Sequence, residues 1–143
     1  MRALSLLATL TMLSSLPAVA HAELLKFSGT LSPQAEVPPH PDLKGSGTVD
    51  ATYDTASKTL TYTATFQGLT GKAVMAHFHA PAPTGKNAGV EVPVQGALTS
   101  PIEGSATLTE AQAKALEDGD TCFNIHTEAN KAGELRAQMA KRM

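Results

Sequence analysis

Short segments of alternating apolar and polar residues, separated by glycine, proline and aspartate turns, constrain what this chain can fold into. The clearest segment is 59–66, in which threonine occupies one face and the other face carries Leu60, Tyr62, Ala64 and Phe66. A period of two residues is that of a half-buried β-strand. The pattern predicts eight strands, at 24–31, 47–53, 59–67, 73–80, 90–94, 102–108, 121–127 and 134–139.

The connections between these segments favour an antiparallel β-sandwich with one short helix, an all-β fold. Residues 54–58 have the composition of a hairpin turn. Thr109 and Gln112 can form a capping box that starts a helix over 110–117. Gly119 can end that helix. Residues 32–41 contain four prolines and are predicted to be an extended loop without regular structure.

The first 22 residues read as a secretory signal peptide, which leaves 23–143 as a single domain. A positive start at Arg2 precedes an apolar run over 3–16, and small residues allow cleavage after Ala20 or Ala22. The run is short for a membrane span, so we expect a periplasmic or secreted protein with no membrane anchor. A net charge of −2 provides no basic field for nucleic acid. The sequence indicates no particular protein partner.

Cys122 is the only cysteine, so no disulfide can form within the chain. We expect it to be a buried small apolar side chain. An intermolecular bridge and a soft metal ligand are the alternatives.

The triplet His77-Phe78-His79 is the most informative chemical feature. In a strand, His77 and His79 point to one face, about 6.6 Å apart along the chain, and can converge on one metal ion. Parity also puts Met75 on this face, and it puts Val74, Ala76 and Phe78 on the opposite, core-forming face.

A third histidine, His126, lies in a later alternating segment whose Phe123 and Ile125 should enter the core. His126 should then point outward together with Cys122 and Asn124. If the two strands are neighbours, His77, His79 and His126 can meet outside one sheet. Three imidazoles suit copper, with zinc as the second choice, and argue against calcium and magnesium.

Other candidates carry weaker signals. His40 lies in the proline-rich loop and is expected not to bind metal, while His21 would matter only if cleavage exposed it at the N-terminus. Glu36 and Glu128 could orient the imidazoles, although a solvated surface position is the simpler expectation for both. The sequence contains no nucleophile elbow, phosphate-binding loop or dinucleotide fingerprint.

Short motifs cover almost the whole predicted domain, and they are Ala35-Glu36-Val37-Pro38-Pro39, Gly45-Ser46-Gly47, Leu60-Thr61-Tyr62, Gly68-Leu69-Thr70-Gly71, Ala76-His77-Phe78-His79-Ala80-Pro81-Ala82, Gly104 to Leu108, Leu116-Glu117-Asp118-Gly119, Asn124-Ile125-His126-Thr127 and Gly133-Glu134-Leu135-Arg136. In their sequence and order these motifs resemble the chordin-type (CHRD) domain. The resemblance implies a single β-sandwich.

The histidine pattern is also similar to the copper side of the copper,zinc superoxide dismutases, an immunoglobulin-like sandwich architecture. That similarity implies copper ligands at His77, His79 and His126. The chain departs from the pattern because 81–89 contains no histidine or aspartate for a zinc loop, and one cysteine cannot form that family's disulfide. The position of Arg136 relative to Gly133 does not match a substrate-guiding arginine.

Three functions fit these observations. The first is an exported module that binds, stores or delivers copper through His77, His79 and His126. The second is a copper-only enzyme similar to superoxide dismutase, since three imidazoles can leave an open coordination position. The third is a structural or interaction module without metal. A blue-copper site using Cys122 is a distant variant of the second.

Overall fold

The computed structural model of the protein describes residues 21–143. The predicted signal peptide lies outside these residues except for its last two positions. The described part contains nine strands and one α-helix, α1 at Glu110–Glu117. The strands are β1 Leu24–Leu31, β2 Ser46–Asp54, β3 Thr59–Gln67, β4 Ala73–His79, β5 Val90–Pro93, β6 Ile102–Thr107, β7 Cys122–Thr127, β8 Leu135–Gln138 and β9 Ala140–Lys141.

The strands form two antiparallel sheets, which confirms the predicted all-β sandwich. The larger sheet has the order β6-β3-β2-β1-β9, and the smaller has the order β5-β4-β7-β8. Strands β4 and β7 lie side by side although 42 residues of other structure separate them in the chain. This crossover places the two histidine-bearing strands next to each other.

The inner faces of the two sheets pack around a small aromatic centre. Tyr62 of the larger sheet contacts Phe78 edge to face, with ring centroids 5.0 Å apart. Phe78 meets Phe123 of the same sheet at 4.8 Å. Edge-to-face contacts of this kind add to the stabilisation from burial of the rings. The core therefore fixes which side chains of β4 and β7 point inward. Because side chains alternate along a strand, it also fixes which ones point outward.

Local signals in the sequence determine the turns and the helix as predicted. Asp54 Oδ1 accepts hydrogen bonds from the backbone N–H groups of Ala56 and Ser57 and closes the β2–β3 hairpin. Thr109 and Gln112 form the reciprocal capping box at the start of α1. The described part of the chain has no helix long and apolar enough to cross a membrane.

The structure corrects three local predictions. The proline-rich loop is not wholly extended, because Pro33–Ala35 forms a 3-10 turn capped by the Ser32 side chain. A short ninth strand follows β8 and was not predicted. Val74 is partly exposed rather than in the core, because a bulge between Ala73 and Met75 interrupts the alternation there.

Candidate metal centre

Strand β4 presents His77 and His79 on the side away from the core. Ala76 and Phe78 are buried between the sheets, and Phe78 makes the aromatic contacts described above. Because side chains alternate along a strand, the two histidines must point to the other face. This is the placement that the triplet His77-Phe78-His79 predicts.

Strand β7 brings the third histidine to the same place. In the register between β4 and β7, Met75 lies opposite His126 and His77 lies opposite Asn124. One ring nitrogen from each of His77, His79 and His126 lies within 4.8 Å of the other two. The structure therefore brings together the three predicted side chains, and their role as metal ligands remains a prediction.

Two loop carbonyls determine which ring nitrogens can bind a cation. His79 Nδ1 lies 3.0 Å from the carbonyl oxygen of Ala88, and His126 Nδ1 lies 2.8 Å from that of Lys131. A carbonyl oxygen can only accept, so each Nδ1 must carry the proton and donate it. In the neutral rings, Nε2 of both histidines then has a free lone pair.

The free lone pairs converge with two further polar atoms. His77 Nδ1 lies 3.1 Å from His126 Nε2, where a proton on His77 can bridge the two rings. Asn124 Oδ1 lies 3.0 Å from Nε2 of both His79 and His126. An amide oxygen has no proton to donate to these nitrogens. The group gathers more acceptors than donors around one point, an arrangement that a cation stabilises.

The surroundings of the cluster disfavour a positive charge on two of its rings. Burial lowers the pKa of His77, and the neighbouring His126 and His79 lower it further. Burial also lowers the pKa of His126, against the opposing effect of its hydrogen bond to Lys131. Neutral imidazoles are the form that binds metal ions, and the lowered pKa values favour this form for His77 and His126.

Comparison with known protein families agrees with the motifs of the sequence. The family model of the CHRD domain matches residues 27–139. The chain belongs to the CHRD domain family. No curated protein and no solved structure showed significant similarity to it. The likeness to the copper,zinc superoxide dismutases therefore rests on the histidine pattern alone.

The outer face of β7 in this CHRD domain is buried, where the sequence predicted an outward-facing surface. His126 is only 6% exposed, and Cys122 and Asn124 are buried as well. Three loops, 32–45, 80–89 and 128–134, lie over this side of the sheet. Alternation identifies the face that points away from the core, but it carries no information about loops that fold back over it.

Glu36 and Arg136 help to hold these covering loops. Glu36 is buried rather than solvated, and it lies against Asn124 and Gly133. Burial raises the pKa of Glu36, while the positive charge of Arg136 opposes that rise. Gly133 has a φ of 131°, and a Cβ at this position would collide with the Glu36 carboxyl. Glycine is therefore required where the loop crosses Glu36.

Arg136 fixes the loop that carries Ala88. Its guanidinium donates to Asn87 Oδ1 at 2.9 Å and to the carbonyl of Lys86. Asn87 in turn donates to the carbonyl of Val37 at 3.0 Å. Arg136 is buried, so it acts here as a structural residue and holds the carbonyl that orients His79.

Three other sequence candidates, His40, Glu128 and His21, are not part of the three-histidine cluster. His40 Nε2 lies 3.1 Å from the carbonyl oxygen of Gly133, so it joins two covering loops. Glu128 and His21 are exposed. His40 is not part of the three-histidine cluster, and the expectation that it does not bind metal stays a prediction. For Glu36, the alternative of a supporting partner near the imidazoles fits better than a surface position.

Glu134 is an important residue that the sequence did not single out. It is fully buried, and its carboxylate accepts hydrogen bonds from the backbone N–H and hydroxyl of Thr70, the hydroxyl of Thr127 and the amide of Asn130. These bonds join the loop after β3 to the loop after β7, which carries Lys131. Alternation with Leu135, Ala137 and Met139 places Glu134 on the face away from the core and gives no sign of its burial. The other available signal was its place in the family motif.

Cys122 is fully buried as a free thiol, in agreement with the simplest expectation. Burial raises the pKa of this thiol, which keeps it protonated at neutral pH. It lies opposite His79 in the β4–β7 register, and its backbone is about 13 Å along the strand from His126. The distance along the strand argues against one ion bound by both Cys122 and His126.

Replacing Cys122 with serine should leave copper affinity within about tenfold of wild type, roughly 1.4 kcal/mol, because the thiol is outside the predicted ligand set. Competition with a colorimetric copper chelator measures the affinity, and circular dichroism checks the fold. A larger loss in a folded variant would assign the thiol to the centre.

Proposed function

We propose that this CHRD domain binds one copper ion through His77 Nδ1, His79 Nε2 and His126 Nε2. The convergence of one ring nitrogen from each of the three histidines within 4.8 Å is the observation that carries the proposal. Two of the three are already deprotonated at the required atom, because Ala88 and Lys131 hold the Nδ1 protons. His77 needs only to move its proton from Nδ1 to Nε2.

The donor set favours copper or zinc among the common metals. Imidazole nitrogens suit both ions, whereas calcium and magnesium prefer oxygen ligands. By the usual order of divalent affinities, a three-imidazole site binds Cu²⁺ more tightly than Zn²⁺. Copper is therefore the proposed ion, and zinc is its competitor.

Storage or delivery is the proposed role for the bound ion. The predicted export places the protein where copper reaches it from outside the cytoplasm. A carrier needs a site that is supported yet reachable, and His77 and His79 are half-buried beside the fully covered His126. A copper-only enzyme would use the same three ligands, so a carrier and an enzyme differ in whether the copper form reacts rapidly with superoxide.

Metal analysis of the protein purified from the exported fraction tests the proposal. We expect about one copper per chain, with titrations of Cu(I), Cu(II) and Zn(II) giving a lower Kd for copper than for zinc. Dismutation of superoxide near the diffusion limit by the copper form would assign the enzyme function instead. If neither ion binds or raises the melting temperature, the interaction module is the correct function.

Copper affinity should fall in acidic solution, because protons compete with the ion for the three imidazoles. Protons compete for the same nitrogens, but the lowered pKa values of His77 and His126 keep both rings neutral below the usual imidazole range. Affinity should therefore change little from about pH 8 to about pH 7 and weaken as the pH falls through about 6.5 and below, because protonation of any one of the three rings competes with the ion. Chelator competition at a series of pH values measures this, and a tenfold loss already at pH 7 would contradict it.

A further inference from the structure

We infer that Met75 supplies a thioether ligand to the three-histidine centre and makes it a site for Cu(I). The inference rests on the copper binding proposed above and concerns the oxidation state of the ion. Met75 is the residue that parity places on the histidine face and to which the proposed function gives no role.

The register of the smaller sheet puts Met75 beside the cluster. Met75 is the direct cross-strand partner of His126, and it precedes His77 by two residues on the same strand face. Cβ atoms of such cross-strand partners lie about 4.5–5.5 Å apart. The flexible methionine side chain carries its sulfur two bonds beyond Cβ, which brings it within reach of an ion held by His77 and His126.

Met75 lies outside the hydrophobic core and is not among the partly buried side chains packed against it. The side chain of Met75 is 43% exposed, whereas Ala76 and Phe78, which point into the core from the same strand, are buried. Methionine has three rotatable side-chain bonds, and little here restricts them. The side chain can therefore turn toward the ion without breaking core contacts.

The other sulfur atoms of the described chain are less suitable ligands. Cys122 is fully buried, with the raised pKa of a protonated thiol. Met139 is fully buried in the core cluster, and Met143 follows β9, which belongs to the other sheet. Met75 alone combines exposure with a position next to the three imidazoles.

A thioether ligand shifts the metal preference of the site toward Cu(I). Soft sulfur ligands select Cu(I), whereas imidazole alone binds both Cu(I) and Cu(II). A neutral thioether also adds no charge to the half-buried centre. Since Met75 is on the exposed side of the cluster, its sulfur is accessible to a second protein that donates or accepts Cu(I).

The test compares Met75→Leu with wild type and with a matched methionine control, Met143→Leu. Leucine keeps the apolar bulk and removes only the sulfur. We expect Met75→Leu to weaken Cu(I) binding at least tenfold and to change Cu(II) binding less than threefold, while Met143→Leu matches wild type in both. X-ray absorption of the Cu(I) protein should show sulfur scattering in wild type and in Cys122→Ser, and none in Met75→Leu.

The possible results separate this inference from the proposed function. If wild type binds copper and Met75→Leu binds Cu(I) equally well, the thioether role is wrong and the histidine site stands. Equal losses of Cu(I) and Cu(II) affinity in Met75→Leu would assign Met75 a packing role and overturn the inference. Sulfur scattering that disappears in Cys122→Ser would transfer the role to the thiol. A wild-type protein that binds neither form of copper would overturn both proposals.

Discussion

Replacing His126 with alanine should weaken copper binding at least about a hundredfold, which corresponds to about 2.7 kcal/mol. His126 lies at the centre of the cluster, with its Nε2 3.1 Å from His77 Nδ1 and 3.0 Å from Asn124 Oδ1. Its Nδ1 proton is held by the carbonyl of Lys131, so the ring is oriented before any ion arrives. Loss of a supporting residue around a metal typically costs ten- to a hundredfold in affinity, and loss of a ligand should cost more.

Thermal unfolding gives a second measurement of the same effect. Copper at about a hundred times its Kd should add about 2.7 kcal/mol to the free energy of unfolding of wild type, or roughly 10 °C in melting temperature. His126→Ala should show almost none of this increase while keeping the circular dichroism of a β-sandwich, because Phe123 and Ile125 remain in the core.

The matched control for this experiment is His40→Ala. His40 is a histidine on a covering loop that contacts Gly133 and lies outside the cluster, so its removal should leave copper affinity within about tenfold of wild type. Equal affinities in wild type and His126→Ala would rule out the three-histidine site. The same conclusion would follow if His40→Ala and His126→Ala lost affinity to the same extent.

Replacing Glu134 with glutamine should destabilise the domain by about 3 kcal/mol, because an amide nitrogen would replace one oxygen of a buried carboxylate that only accepts hydrogen bonds. Its Oε2 accepts from the hydroxyls of Thr70 and Thr127 at 2.6 Å and from Asn130 at 3.0 Å, and its Oε1 accepts from the Thr70 backbone at 2.7 Å. Denaturant unfolding measures the difference. Glu128→Gln, an exposed change in the same loop region, should be within about 0.5 kcal/mol of wild type.

The difference in stability between wild type and Glu134→Gln should become smaller in acidic solution. Burial raises the pKa of Glu134, but the hydrogen bonds from Thr127, Thr70 and Asn130 outweigh burial and hold the pKa below its usual value of 4.5. A carboxyl whose pKa is lowered on folding stabilises the protein above its unfolded pKa, and this stabilisation is lost as the pH falls through the folded value. The difference between wild type and Glu134→Gln should therefore be constant from about pH 7 to about pH 5 and shrink in more acidic solution. A difference that grows on acidification would contradict the assigned hydrogen bonds.

The variants at His126 and Glu134 distinguish the loss of a proposed metal ligand from the loss of a residue that supports the site. Glu134 joins the loop after β3 to the loop that carries Lys131, whose carbonyl orients His126. A loss of stability in Glu134→Gln should consequently lower copper affinity as well, by less than the loss in His126→Ala. This order follows because one residue binds the ion and the other supports the loop behind it.

The strands and the helix could be predicted closely from local pattern. Every predicted strand agrees with the observed one within one residue at each end, and α1 begins and ends where predicted. Period-two alternation and the capping box act over a few neighbouring residues, so the sequence itself contains the necessary information. Departures occur where a local rule is interrupted, as at the bulge that exposes Val74.

The sequence by itself determined that His77 and His79 share one strand face and that His126 points away from the core. Only the tertiary structure decided that β7 lies next to β4, with a register that puts His126 opposite Met75 and beside His77. Only it supplied the carbonyls of Ala88 and Lys131 and buried Glu36 and Glu134. The physical reason is that a period of two residues specifies which face a side chain occupies. The neighbour of a strand and the path of a loop depend on contacts between residues far apart in the chain, and no local period encodes them.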